Sequence, residues 1–518
     1  MTDKIETTYD DIPYIGKTFC FTHPDALATA ARLMGLDSPS PDQCRVLELG
    51  CGDGRNLIPM AESLPDSTFV GIDLGRTHIE SGQQFIQELG LQNIELRQMD
   101  IADVDPDFGQ FDYIICHGVY SWIPSTVQER ILDVCRQHLT SHGVAFISYN
   151  TFPGWHMRRM IRDMTAFHVD AAAEPVQRVQ QARELLTVLL NGMAGQNDAY
   201  SHLLKSEMQR ALHAEQHYFF HEHLEEFNQP LYHHEFVRRA ADHQMQYLCD
   251  AEIRLMLPVL AAPEFEQLLQ TLARDRTGRS QYSDFLTNRA FRKTLLCRDG
   301  LPVHTQPVAG QLPPFYVRSL ARPVSPQCSI HDGSEIAFKV ADGSGISVSQ
   351  PLVKAAFLHL SEIAPASVTV EELLKQSRKL LHLPPSTPHE RHLDTEMLGT
   401  WLLSGHATSP TSAIEFSCVP SRFVAAVSEF PVTTSLVRLQ VNKKISVASR
   451  KHQSEAVDAV HAHVLAMLDG TNDLASVTTA VSELRRQQEI ALPEGVADDA
   501  ELAAGCLRNL ARAGLLIA

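Results

Sequence analysis

Ten residues constrain the fold of this chain more than any others: Arg45 to Gly54, reading RVLELGCGDG. Val46, Leu47 and Leu49 make the short apolar run of a strand buried in a parallel sheet. Glycines then stand at alternate positions, Gly50, Gly52 and Gly54, before Asn56-Leu57-Ile58 opens a helical pattern. A strand, a glycine turn and a helix start let a ligand lie against bare backbone at the first crossover of an α/β fold. Glycine turns also serve plain connections, so a second signal is needed. It comes nineteen residues after Gly54, at Asp73, where FVGIDLG reads as an apolar strand ending in an acid. In a doubly wound fold that position holds a ribose diol.

The alternation continues along the chain. Asp25 to Gly35 reads as a helix ended by glycine, and helices are expected near 56–63, 77–89 and 125–138. Strands fall at 45–49, 68–73, 94–98, 111–116 and 143–149. Strands alternating with helices predict a parallel sheet with right-handed crossovers, and ligands beyond the C-terminal strand ends. Gly50–Gly54, Asp73, Asp100 and His117 all fall there.

From Tyr149 to about residue 228 the helical pattern is too long for a loop and reads as an inserted layer. Strands near 245–253 and 291–298 then complete a seven-stranded sheet. Residues 303–333, rich in Pro and Ser, read as a linker. The expected division is 1–154 for the N-terminal segment and ligand-binding core, 155–230 for the insertion and 231–302 for the end of the core. After the linker come 334–410 and 411–518, two small, mostly α, winged-helix-like units. The first holds helices at 351–363, from Val370, and near 394–404, with LPPSTP (383–388) as a loop. In the second, VHAHVLAMLDGTNDLASVTTAV reads as helix–turn–helix, and CLRNLARAGLLIA as a helix running into a short strand.

Composition excludes some classes. No run of about 18 apolar residues exists, which argues against a membrane span. MTDKIETTYDD at the N-terminus is polar and acidic, unlike a signal peptide. Ten cysteines without CxxC pairs argue against a disulfide framework or zinc ribbon, and the expectation is a reducing cytoplasm. A formal net charge of −18 disfavours nonspecific nucleic-acid binding. The winged-helix-like units carry no concentrated basic stripe, so protein contact is the favoured role for them. His213, His217 and His221 are spaced to share a helix face, but without HExxH or a nearby cysteine no metal site is assigned.

The glycine pattern is GxGxG, not the GxGxxG of dinucleotide enzymes. With ELGCGDG (48–54), Asp73, MDIAD (99–103) and FDYIICHG (111–118), the chain resembles the class I S-adenosylmethionine (SAM) methyltransferases. IPYIGKTFCFTHPDALATAA, YSWIP, YNTFPGWHMRRMIRDM, FFHEHLEEFNQPLYHHEF and QYSDFLTNRAFRKTLLCR extend the likeness over roughly residues 5–300. There the chain resembles bacterial methyltransferases with a methyltransferase regulatory domain. That group includes rickettsial lysine methyltransferases that modify outer-membrane proteins. The resemblance implies an α/β fold: a Rossmann-like, seven-stranded class I methyltransferase core with an antiparallel last strand and a helical insertion, followed by the two winged-helix-like domains.

It also implies SAM as cofactor. Gly50 and Gly52 would let backbone approach it, with Glu48 and Asp53 near its methionyl amino end. Asp73 would accept both ribose hydroxyls, and Asp100 and Ile101 would contact adenine. His117 and Gly118 would lie near the methyl group, and Tyr14, Cys51, Asn56 and Leu74 complete the cofactor set. His117, Tyr120, Trp122 and Tyr149 are the candidate catalytic residues. HGVYSWIP (117–124) and YNTFPGWH (149–156) both follow strand ends and carry aromatics suited to an aliphatic lysine channel. Alternatively, Trp122 and Trp155 anchor the core of a lid and His117 caps a strand end. Tyr9, Tyr14, Phe19 and Phe21 belong either to a segment folded over the cofactor or to packing on the sheet. Glu222, Glu225 and Glu226 either attract a lysine ammonium or form a solvated helix face.

The activity implied is protein-lysine N-methylation by in-line displacement on a lysine-bearing protein, with outer-membrane proteins among the candidates. No nucleic-acid partner is expected, and oligomerisation is left open. The alternatives are methylation of a small molecule or lipid by the same fold, and a non-catalytic SAM-binding regulator.

Overall fold

The computed structural model describes residues 16–257, 263–325, 327–407, 413–424 and 426–517. Tyr9 and Tyr14 lie outside these residues. Seven strands form the central sheet: β1 (Arg45–Leu49), β2 (Thr68–Asp73), β3 (Ile94–Gln98), β4 (Phe111–Cys116), β5 (Leu139–Asn150), β6 (Met245–Asp250) and β7 (Phe291–Arg298). Their spatial order is 3-2-1-4-5-7-6, with β7 antiparallel to both β5 and β6. The other pairings are parallel. The chain runs β1 to β3 toward one edge, then crosses to β4 on the other side of β1. That reversal opens a crevice at the C-terminal ends of β1 and β4.

Local chemistry accounts for the elements. Val46, Leu47 and Leu49 of β1 have no exposure, because helices cover both sheet faces. On those faces lie α1 (Pro24–Leu33), α2 (Leu57–Ser63), α3 (Arg76–Leu89) and α4 (Ser125–His138). Gly90, at φ 68°, ends α3 in the left-handed conformation that glycine adopts without strain. β5 is longer than its sequence pattern suggests: it starts at Leu139, and its pairing with β4 shifts register between Phe111 and Tyr113.

The inserted layer is α5 (Gly154–His168), α6 (Pro175–Gly192), α7 (Ala199–His213) and α8 (Gln216–His223). Ile161, Val179, Leu186, Met208, Phe219 and Phe220 give it a small core of its own. The expected histidine face does not form. His213 ends α7 while His217 and His221 sit in α8, because the chain turns at Ala214 and Glu215. Next come α9 (His233–Asp242), α10 (Pro263–Leu272) and α11 (Arg276–Thr287), which frame β6 and β7.

Residues 303–333 are not a linker. They supply β8 (Tyr316–Arg318) and β9 (Arg322–Pro323), and Phe315, Val317 and Ala321 are buried in the same core as the sheet. Composition pointed to a tether, but alternating apolar positions among the prolines decide for a strand. β8 pairs with β12 (Val368–Thr369) and β13 (Glu415–Ser417), and β9 with the hairpin β10 (Ile336–Lys339) and β11 (Gly345–Val348). Around them pack α12 (Pro351–Ile363), α13 (Val370–Leu380) and α14 (Pro388–Ala407).

The last unit holds α15 (Ser435–Asn442), the short pair β14 (Val447–Ala448) and β15 (Ser454–Glu455), α16 (Ala459–Met467), α17 (Leu474–Gln488) and α18 (Asp499–Ala513). Asp458, Asp473 and Asp498 cap its last three helices, each carboxylate accepting a backbone N–H three residues on. Val464, Val477, Val481, Leu507 and Leu510 fill its core. The expected terminal strand is a short extended tail, with Ile517 donating to the Val432 carbonyl at 2.8 Å. Among the described residues no helix is long and apolar enough to cross a membrane.

Candidate functional site

The turn after β1 is built for backbone approach. Gly50, Gly52 and Gly54 have φ of 75°, 54° and 74°, the left-handed region that costs other residues strain. A side chain at Gly52 would meet nothing within 4 Å, so its open side is space and not packing. The turn is tied to the next strand: Gly50 and Cys51 both donate to the Ile72 carbonyl, at 2.9 and 3.0 Å. One Asp73 oxygen accepts from Gly52 N and the other from Gly75 N, both at 2.8 Å. Asp73 therefore anchors the glycine turn and keeps lone pairs on a half-buried carboxylate.

Glu48, at the end of β1, is 4% exposed. Its Oε1 accepts from Asn56 Nδ2 at 2.8 Å, while Oε2 is buried with no hydrogen-bond partner. Burial pushes this carboxyl up to about 8, against the Asn56 hydrogen bond and with help from the charge of Asp73. A buried carboxylate with an unmet oxygen is what an ammonium-bearing ligand requires. Glu48, Asp73 and the bare turn thus fit a cofactor with an amino group at one end and a ribose in its middle.

At the end of β4, His117 Nδ1 lies 2.9 Å from Ser148 Oγ, which also accepts from Gly118 N at 2.8 Å. Phe19, Phe21, Phe146 and Phe291 surround the imidazole, with centroids 4.1–6.1 Å away. Burial, and secondarily the charge of Lys293, hold His117 down to about 3, so it is neutral at pH 7. Gly118, at φ 72°, has open space where a side chain would stand. Asp100 caps the turn Ile101–Asp103 by accepting from Ala102 N at 2.8 Å, and Leu74 and Ile101 are half-buried.

Several expected residues do other work. Tyr120 and Tyr149 are 0% and 1% exposed and pack against Phe236 of α9. The Tyr149 hydroxyl is paired with His233 Nδ1 at 2.9 Å and Thr294 Oγ1 at 3.2 Å. Both tyrosines are core residues, because α9 covers that sheet face. Trp155 is likewise fully buried, with its ring edge-to-face with the half-buried Trp122 at 6.0 Å. The Cys51 side chain is buried in the turn, with Sγ 3.7 Å from the Gly52 carbonyl, leaving only backbone for a ligand. Asp53 is committed to Arg55 at 2.8 Å, and the Asn56 amide is spent on protein groups. In the inserted layer Glu225 pairs with His221 at 2.7 Å and Glu222 faces Arg158 at 3.9 Å, so these acids already have cationic or imidazole partners.

Ser148, Thr22 and His452 belong to the site's polar frame and carried no sequence signal. Ser148 lies inside an apolar strand, and the other two are distant in the chain from the residues they touch.

Glu48 gives a pH prediction. Below about 8 its carboxyl is protonated without ligand, so an ammonium that pairs with it would displace that proton. The Kd for S-adenosylhomocysteine (AdoHcy) is expected to tighten about tenfold per pH unit between roughly pH 6 and 7, with about one proton released. Glu48→Gln should flatten that slope. Calorimetry in two buffers of different ionisation enthalpy reads the proton directly, and binding at pH 6.5 with none released would refute the assignment.

Comparison with known proteins places these features in a family. A methyltransferase domain model matches residues 46–143, a predicted methyltransferase regulatory domain matches 215–298, and a PKMT C-terminal winged helix domain matches 429–515. Uncharacterized protein RP789 of Rickettsia prowazekii is 32% identical over 483 residues, 91% of this chain and 85% of that protein. RP028 of the same organism is 39% identical over 239 residues, 46% of this chain and 95% of that one. The structure of PKMT2 from Rickettsia typhi superposes with a TM-score of 0.84 at 29% identity, covering 98% of this chain and 100% of that chain. The same protein in complex with AdoHcy superposes at 0.83. With that likeness running from the glycine turn to the last helix, the chain belongs to the SAM-dependent methyltransferases that carry a methyltransferase regulatory domain and a PKMT-type C-terminal winged helix.

Proposed function

We propose that this methyltransferase acts on the side-chain amine of lysine in a protein substrate. The observation that supports the reading is the likeness to PKMT2 of Rickettsia typhi over 98% of the chain, taken with the sequence resemblance to rickettsial lysine methyltransferases. A small-molecule enzyme of this fold needs no counterpart to the middle and C-terminal units. Those units add roughly 200 residues that a macromolecular substrate can contact.

Glu48 pairs with the cofactor's ammonium, Asp73 accepts its ribose hydroxyls, and Leu74, Asp100 and Ile101 flank its adenine. When bound, SAM supplies a methyl group activated by a sulfonium. His117 and Gly118 border the methyl-transfer position. A neutral imidazole there adds no positive charge to repel the sulfonium, and the phenylalanines around it exclude water. A lysine must lose its proton before it can attack, and an apolar surround next to a cation lowers its pKa. Trp122, half-buried after β4, offers an aromatic face to the arriving ammonium.

The test is transfer of tritiated methyl from SAM, with lysate proteins and a small-molecule extract as separate acceptors and the products analysed by mass spectrometry. Label on lysines of a discrete protein is the expected result. Label confined to small molecules would overturn the lysine reading and leave the methyltransferase assignment intact.

A further inference from the structure

The C-terminal unit reaches into the cofactor site. His452 lies in the turn between β14 and β15, yet its Nε2 is 2.9 Å from Oδ1 of Asn56, 396 residues away. The Asn56 amide is fully engaged. Nδ2 donates to Glu48 Oε1 at 2.8 Å and to Thr22 Oγ1 at 3.0 Å, while Oδ1 accepts from Phe19 N at 3.1 Å and from His452. A flipped amide would set its NH2 against two donors and its oxygen against a carboxylate, so the Phe19 and His452 donors fix which end faces Glu48.

The turn is seated firmly. Thr18 N donates to Ser454 Oγ at 3.0 Å, and the His452 ring lies 5.3 Å from that of His23. Farther along α2, Arg422 donates to the Ser63 carbonyl at 2.6 Å and Glu62 accepts from Leu436 N at 2.8 Å. The helix that follows the glycine turn is therefore gripped at both ends by residues from the C-terminal part of the chain. His452 itself has φ 55°, where glycine would be relaxed. The backbone strain is tolerated at a residue that is 4% exposed and hydrogen-bonded into another unit.

We propose that His452 is a positioning residue for the cofactor site: through Asn56 it orients the Glu48 carboxylate, so that docking of the C-terminal unit and cofactor binding are thermodynamically coupled. By reciprocity, whatever shifts the docking of that unit shifts cofactor affinity. The inference rests on Glu48 as the partner of the cofactor's ammonium.

The experiment is AdoHcy binding by calorimetry on full-length variants. His452→Gly relaxes the backbone and removes the donor, and is expected to raise Kd about fivefold or more. His452→Gln retains an N–H near the Nε2 position and should stay within about twofold of the parent. Lys443→Ala, which breaks the rim pair with Glu88 at 2.9 Å and the ammonium's contact with the Phe85 ring, should leave Kd unchanged. Should His452→Gly fail to fold, His452→Asn tolerates the same backbone but is too short to reach Asn56, and should show the same loss. Parental affinity in the Gly and Asn variants, or a Gln variant as weak as the Gly variant, would overturn the proposal. Glu48→Gln separates the two readings: if it too binds as the parent does, the Glu48 assignment itself has failed.

Discussion

Replacing Asp73 with alanine is expected to weaken AdoHcy binding about 100-fold or more. Two effects add. In the proposed assignment the carboxylate accepts two ribose hydroxyls, and hydrogen bonds to a charged group are worth roughly 1.5–3 kcal/mol each. Two of them lost at the low end already correspond to about 100-fold. The same carboxylate accepts from Gly52 N and Gly75 N, so its removal also frees the glycine turn of the proposed cofactor site. Asp73→Asn restores the size but sets an NH2 against one of those backbone N–H groups, so it should bind nearly as poorly. The measurement is AdoHcy titration together with the thermal midpoint: stabilisation by ligand, which follows RT ln(1 + [L]/Kd), should vanish in both variants. Unchanged affinity in Asp73→Ala would sink the ribose assignment.

Replacing Arg292 with methionine is expected to cost about 3–5 kcal/mol of stability, the effect of leaving buried charge unpaired. Arg292, Asp284 and Asp250 have side chains 0%, 0% and 2% exposed. The guanidinium donates to Asp284 from Nε at 2.9 Å and from Nη2 at 2.8 Å, to Asp250 from Nη1 at 3.0 Å, and to the Ser280 carbonyl from Nη2 at 3.0 Å. This cluster clamps α11 onto β6 and β7. Without the arginine, two buried carboxylates remain with only the more peripheral Arg289, 3.1 Å from Asp250, to offset them. The thermal midpoint should fall by about 3–8 °C. Adding Asp250→Asn and Asp284→Asn to Arg292→Met should recover part of the loss, because the damage is uncompensated charge more than lost volume. A single variant as stable as the parent would show that the cluster contributes nothing net.

The parallel half of the sheet was legible from the chain itself. A strand buried on both faces is a short apolar run, a crossover turn needs glycine at positive φ, and an acid at the next strand end stands where a ribose diol is held. These are local rules, and strands at 45–49, 68–73, 94–98 and 111–116 stand where they place them. The family likeness then assigned the cofactor, and Glu48 and Asp73 have surroundings that suit it.

Side-chain facing beyond the strand ends was not legible. Tyr120 and Tyr149 have the composition and position of residues lining a substrate channel, yet α9 packs over them and they became core. A sequence shows that an aromatic follows a strand, but only the placement of a helix about a hundred residues later decides whether that aromatic meets substrate or another ring. The stretch 303–333 differs from expectation for a related reason: its prolines and serines speak for a tether, while its alternating apolar residues find sheet partners in β12, β13 and β10.

What the sequence by itself determined was the parallel half of the sheet, the glycine turn, the acids beside it and the family, since each is carried by short local motifs. Tertiary structure alone decided that Arg292 would bind two carboxylates out of water, and that an imidazole from the last unit would complete the hydrogen bonding of Asn56. The physical reason is the same in both cases. A buried polar group must find a partner, and the partner is chosen by packing, which brings together residues 42 and 396 positions apart that no local pattern connects.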